Sequence, residues 1–190
     1  MHSDPTSDGG TSSQVTHIAA QHTLMQNDPS SDGAISGVAI TLATPDDAEA
    51  IVALLTPNVS KQSVLPRPVS DIRNAIDTFR VARTPDGRVV GCVALKQWDA
   101  GLHEIRSLVV HDDFAGQGLG SRLLDTIIDY ARTLHTRELF TLTIRPNLFR
   151  RLGFTIVPKQ RYSQKIWSDC LQCDKHHTNT CDETALALLL

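Results

Sequence analysis

The sequence predicts an α+β fold, a mixed and mostly antiparallel sheet flanked by helices, and three observations carry the prediction. FRVART (79–84) and RVVGCVAL (88–95) are apolar, β-branched runs on either side of Pro85-Asp86-Gly87, the pattern of a hairpin. A second turn at Asp99-Ala100-Gly101 leads into a third run, HEIRSLVV (103–110). That strand passes through a glycine-rich turn into an amphipathic helix, whose Leu119, Leu123, Leu124, Ile127, Ile128 and Ala131 recur at helical spacing.

The other elements fall in place around these. VAITLA (38–43) reads as the first strand, followed by Thr44 as N-cap, Pro45 at the first helical position and AEAIVALL (48–55) as the helix body. Residues 56–69 read as a loop, and SDIRNAI (70–76) as a short second helix capped by Ser70. A helix is expected over 117–134, then a central strand in LFTLTIR (139–145), a short helix over 147–152 and a last strand in FTIVP (154–158). The order is strand, two helices, three antiparallel strands, helix, strand, helix, strand.

Three regions are expected. Residues 1–36 are rich in Ser, Thr, Asp, Gly and His without apolar periodicity, a composition that cannot offset its ordering entropy, so a disordered tail is expected there. Within it SDPTSDG (3–9) recurs as NDPSSDG (27–33), with His17 and His22 between the copies. Residues 37–167 form the folded domain, and 168–190 a cysteine-containing C-terminal tail.

Composition narrows the function. A chain of 190 residues with 41% hydrophobic content builds one domain with a real core, and its net charge of -3 offers no basic field for nucleic acid. No segment approaches the roughly 18 apolar residues of a membrane span, and no basic, then apolar leader opens the chain. A cytoplasmic enzyme is the expectation.

The glycine-rich turn carries the chemistry. Gly116, Gly118 and Gly120 remove the Cβ atoms that would keep an anion from the main chain, and Ser121 adds a hydroxyl in the first helical turn. A glycine turn before an ordinary helix is the plainer alternative. The run is not a P-loop, because no Lys follows the last glycine, and no acidic strand completes a dinucleotide fingerprint.

The strand, loop and helix resemble the acetyl-coenzyme A site of the GNAT acetyltransferase superfamily. Its loop pattern is Arg or Gln, two residues, Gly, one residue, then Gly or Ala; here it reads Ala115-Gly116-Gln117-Gly118-Leu119-Gly120. Ala115 departs from the pattern, so one side-chain contact to the pyrophosphate is missing. The resemblance runs from about Val38 to Trp167, includes RLGF (151–154), and implies the GNAT fold, in which the fourth and fifth strands splay apart to admit the pantetheine arm.

From that resemblance acetyl-CoA is the expected cosubstrate. Main-chain N–H groups around Leu108, Val109 and Val110 are expected to hold the pantetheine, and Ala115 to Ser121 the pyrophosphate. Glu104, on the fourth strand beside the splay, is the candidate general base; a solvent-facing carboxylate, or one paired to Arg106, is the alternative. Phe149 stands where many members carry a general-acid Tyr, and Tyr162 is the substitute the sequence offers.

Four cations suggest an acidic acceptor. Lys96 and Arg145 end strands, Arg106 shares a strand face with Glu104 at i and i+2, and Arg67 lies in the loop VLPRP (64–68). LPR, FRVAR, GCVALK, EIRSLVVH and LFTLTIRP are similar to the acetyltransferase domain of bacterial N-acetylglutamate synthases, in a short form without the preceding amino-acid-kinase domain. This implies L-glutamate as acceptor, with Lys96, Arg145 and Arg67 on its carboxylates; Arg106 joins them from strand geometry.

The tail holds Cys170, Cys173 and Cys181 in C-x2-C-x7-C spacing, with His176 or His177 as a fourth group. Zinc is one reading, and free thiols without metal the simpler one. Cys92 alternates into the apolar face of its strand and reads as core. ALALLL (185–190) is expected to pack on the domain or on a second copy in a homodimer.

Overall fold

The computed structural model describes residues 35–60 and 64–190, so most of the expected N-terminal tail, with His17 and His22, lies outside the described residues. Ile35, assigned to that tail, is instead buried in the core. The strands are β1 (Ala39–Leu42), β2 (Phe79–Arg83), β3 (Val89–Asp99), β4 (Leu102–Val110), β5 (Glu138–Thr143), β6 (Thr155–Ile156) and β7 (Thr184–Leu189). They form one sheet in the order β1-β2-β3-β4-β5-β7-β6. Every neighbouring pair is antiparallel except β4 and β5.

Two irregularities of β4 matter later. Its parallel pairing with β5 covers only Leu102–Glu104 against Glu138–Phe140, after which the two strands separate. On the β3 side, Cys92 faces Val109 and Ala94 faces Arg106, so Ser107 and Leu108 together oppose Val93. This is a β-bulge, and Ser107 adopts φ 54° within it.

Helices cover both faces. α3 (Leu119–Thr133) buries the six apolar residues its periodicity singled out, against Val93, Leu95 and Ile105. Gly91 lets it approach: a Cβ there would stand 3.0 Å from Leu123 Cδ1. On the opposite face α1 (Ala48–Ser60) and α2 (Val69–Asn74) pack Ile51, Leu55 and Ile72 on Phe79, Val81, Cys92 and Ala94. Ahead of α1, Thr44 donates its N–H to Asp47, whose carboxylate also receives Arg83 at 2.8 Å.

The local boundaries shift in three places. α1 runs through Pro57 to Ser60, where a loop was expected; the carbonyl that Pro57 deprives of a donor belongs to Ala53, on the exposed side of the helix, where the loss costs least. Pro68, not Ser70, is the N-cap of α2. α3 starts at Leu119, two residues late, because Gly118 takes the left-handed conformation at its cap.

The larger correction concerns residues 168–190. β7 is not a tail but an inner strand, pairing with β5 along Thr184–Leu189 and with β6 along Leu186–Ala187. FTIVP, expected to end the sheet, contributes only Thr155–Ile156 at the edge, with Ile156 60% exposed. Ala185 and Ala187 are small because Phe140 and Tyr162, stacked at 3.8 Å, cover that face. Between β6 and β7 the chain makes an excursion through α5 (Ser163–Ser168) and α6 (Asp174–His177). No described helix is long and apolar enough to cross a membrane.

Candidate active site

The splay of β4 from β5 makes a slot. Beyond Glu104, the stretch Ile105–Val110, including Leu108, Val109 and Val110, has no β5 partner, so main-chain polar groups on that edge are available to a ligand. The glycine loop lies at the end of the same strand. Gly116 (φ 76°) and Gly118 (φ 84°) take left-handed conformations that a side chain would strain. The first main-chain bond of α3 runs from Arg122 N–H to the Gly118 carbonyl, which leaves the N–H groups of Leu119, Gly120 and Ser121 pointing forward from a fifteen-residue helix. Gln117 is tied back to the Asp113 carbonyl at 2.9 Å, and Ala115 is exposed. The arrangement fits a pyrophosphate at the helix end and an extended thiol arm in the slot.

A second cavity of about 640 Å³ opens on the α1 and α2 face. Its floor is Glu104, Arg106 and Ser107 of β4 with Leu142 of β5; one wall is the α1–α2 connection from Val64 to Arg67, the other the excursion between Lys159 and Glu183. Sheet geometry explains the floor, since Lys96 and Glu104 are directly opposed across β3 and β4 and Arg106 lies two residues on.

Glu104 is 2% exposed and fully engaged. One carboxylate oxygen meets Lys165 Nζ at 2.8 Å, and the other accepts from Trp98 Nε1 at 2.9 Å. Its partner is therefore Lys165, not Arg106. Lys165 also contacts Asp169 at 2.7 Å. Burial pulls the Lys165 ammonium toward neutrality, but Glu104 and Asp169 outweigh it and hold its pKa above the ordinary value. Asp169 shows the converse: burial raises it, yet Lys165, Ser168 and Lys96 bring it down to about 2.

Three of the four expected cations converge here. Arg67, Lys96 and Arg106 lie 4.0, 3.9 and 3.7 Å from Asp169, and Lys96 also rests on the Trp98 ring at 3.5 Å. Burial, then repulsion from Arg67, lowers the pKa of Arg106, and its Nε is buried without a hydrogen-bond partner. Arg145 is not brought in: it is exposed at the start of α4 (Pro146–Arg150), turned away from the cavity by the end of β5.

Residues 56–154 match the model of the acetyltransferase (GNAT) family. The chain belongs to that family. An uncharacterized N-acetyltransferase of Chlorobaculum tepidum is 34% identical over 76% of this chain and 91% of its own length. An amino-acid acetyltransferase of Mycobacterium tuberculosis is 35% identical over 67% of this chain and 74% of its own. Among solved structures, Rv2747 of M. tuberculosis in complex with CoA and NLQ aligns with TM-score 0.69 and 28% identity, over 80% of this chain and 99% of that one. N-acetylglutamate synthase of Neisseria gonorrhoeae, complexed with coenzyme A and N-acetyl-glutamate, aligns with TM-score 0.67 and 29% identity; this chain spans 35% of its length.

Within the GNAT frame neither Phe149, which stands in place of the usual Tyr, nor Tyr162 lines the cavity. Phe149 is core, edge-on to Phe154 at 5.4 Å. The Tyr162 hydroxyl is committed to Glu138, to which it donates at 2.7 Å, and burial followed by that carboxylate pushes its pKa well up. Cys170, Cys173, Cys181 and His176 line the cavity wall, the cysteines without disulfides and Cys181 accepting from Lys159 at 3.3 Å, and among the described residues no set of three or more His, Cys, Asp or Glu is arranged to hold a metal ion. Lys165, Asp169 and Trp98 were missed in the sequence. The only signal for the first two was their i, i+4 spacing at the end of SQKIWSD, which says nothing about what they face.

Proposed function

We propose that this GNAT acetyltransferase moves the acetyl group of acetyl-CoA onto the α-amine of L-glutamate, the opening step of arginine synthesis. The observation that carries the acceptor is the guanidinium pair Arg67 and Arg106. Both line the cavity and stand 4.0 and 3.7 Å from Asp169, and Arg106 keeps a buried Nε without a hydrogen-bond partner, which is costly unless a ligand supplies an acceptor. Carboxylates match that need; a polyamine does not.

The coenzyme supplies an activated thioester. Main-chain N–H groups along Leu108–Val110 hold its arm, and those of Gly116 to Ser121 its pyrophosphate. Glu104, on the cavity floor beside the splay, takes the proton from the attacking amine directly or through one water. The departing thiolate takes its proton from solvent, since neither Phe149 nor Tyr162 can supply one.

Release of free coenzyme A thiol tests the reading with L-glutamate, L-aspartate, L-glutamine, spermidine and a peptide N-terminus as acceptors. Turnover is expected with glutamate first, with N-acetylglutamate identified by mass. If all three amino acids fail while spermidine or the peptide works, the acceptor assignment is wrong.

A further inference from the structure

Asp169 lies outside the stretch that matches the family model, on the excursion between β6 and β7, yet it is the common neighbour of Arg67, Lys96, Arg106 and Lys165. Its side chain is 15% exposed and takes hydrogen bonds from Lys165 at 2.7 Å and Ser168 at 2.9 Å. Arg67, Lys96 and Arg106 stand farther off, at 3.7 to 4.0 Å, within Coulomb range but beyond hydrogen-bond distance. Asp169 thus attracts the three cations without using up their donors.

The charge balance is specific. Four cations, Arg67, Lys96, Arg106 and Lys165, face two carboxylates, Glu104 and Asp169, which leaves two positive charges uncompensated. The other charges of that wall balance in number: Lys175 pairs with Asp182 at 2.7 Å, and Lys159 is matched by Glu183, which feels Lys165 first and then Lys159 and Lys175. Without Asp169 the three outer cations would repel one another and turn to solvent, and an acceptor would have to gather them again.

We propose that Asp169 is a positioning residue that sets acceptor specificity, holding Arg67, Lys96 and Arg106 around the cavity so that a dicarboxylic amino acid is bound in preference to a monocarboxylic one. The proposal rests on the acceptor reading above. It assigns selectivity to a carboxylate of the protein that need not be displaced by the substrate.

The test compares wild type, Asp169→Glu and Asp169→Asn by steady-state kinetics with glutamate and glutamine, and by calorimetry with glutarate and butyrate, which cannot be acetylated. In Asp169→Asn, KM for glutamate should rise about tenfold, by more than kcat falls, and the preference for glutamate over glutamine should shrink correspondingly. Asp169→Glu should lie between the other two. A fall in KM for glutamate would make Asp169 a place-holder that competes with substrate, and an unchanged preference would make it merely structural; either overturns the proposal. Should wild type acetylate no dicarboxylic amino acid, the acceptor reading fails and glutarate alone decides. Tighter binding of glutarate than butyrate, weakened about tenfold in Asp169→Asn, sustains the role; equal glutarate affinity in the two proteins, or none in wild type, ends it. If Asp169→Asn does not fold, Asp169→Ser takes its place in each comparison.

Discussion

Lys165 Nζ lies 2.8 Å from a carboxylate oxygen of Glu104, and the two side chains are only 10% and 2% exposed. The ammonium continues to Asp169, so a line of carboxylate, ammonium and carboxylate joins the sheet to the segment that walls the cavity. The ion pair fixes the orientation of Glu104 and compensates its charge in a place where an isolated carboxylate would not be tolerated.

Lys165→Met should therefore destabilise the protein by about 3–5 kcal/mol, because it strands Glu104 in a buried site without a counter-ion. A urea denaturation series reads this as a lower midpoint at unchanged slope. A midpoint equal to that of wild type would mean that solvent already reaches Glu104.

Glu104→Gln removes a proton acceptor while keeping shape and the Trp98 contact. The expected loss in kcat is on the order of 10²–10⁴, with coenzyme A affinity held within about twofold. Stopped-flow turnover beside equilibrium coenzyme binding separates the two quantities. A kcat within roughly threefold of wild type would strip Glu104 of the base role.

Asp169 makes stability depend on acid. Its folded pKa of about 2 lies below the ordinary 3.8, so its contribution is complete above the unfolded value and is lost as pH falls from about 4 toward 2. The amount is about 2 kcal/mol. Thermal melts across that window should show a steeper acid decline in wild type than in Asp169→Asn; parallel curves would contradict it.

The thiols should separate by reactivity. Burial pushes Cys92 up to about 12 and keeps it from solvent, whereas Cys170, Cys173 and Cys181 are partly exposed around the cavity. Iodoacetamide on the native protein should label the latter set and spare Cys92, with glutamate slowing the labelling. Peptide mass mapping with and without glutamate checks both statements, and equal labelling of Cys92 would contradict the first.

Much of this was legible because it is local. The hairpin of β2 and β3, the buried face of α3 and the glycine conformations at 116 and 118 each follow from residues within a turn or two of one another. β7 was not legible as an inner strand, because TALALL looks the same whether it pairs with β5, with β6 or with another chain. The decision lies in Phe140 and Tyr162, which leave room only for alanines on one side. The cations illustrate the same limit. Arg106 lies two residues from Glu104 on the cavity floor, as strand alternation expects, and Lys96 opposes Glu104 across β3, whereas Arg145, also at a strand end, lies outside the cavity lining. Asp169 and Lys165 reach the site by a chain excursion that no periodicity describes.

That excursion leaves the sheet at β6 and re-enters at β7, two strands hydrogen-bonded to each other, so its ends are pinned side by side while its middle is tied to β4 through Lys165 and Glu104. The donor half of the site, from Ile105 to Ser121, shares no segment with it. The excursion therefore acts as a buttress: residues 159–183 bring Lys165 to Glu104 and Asp169 to the acceptor cations, so a change there reaches the acceptor side of the site first and the glycine loop at the far end of β4 last.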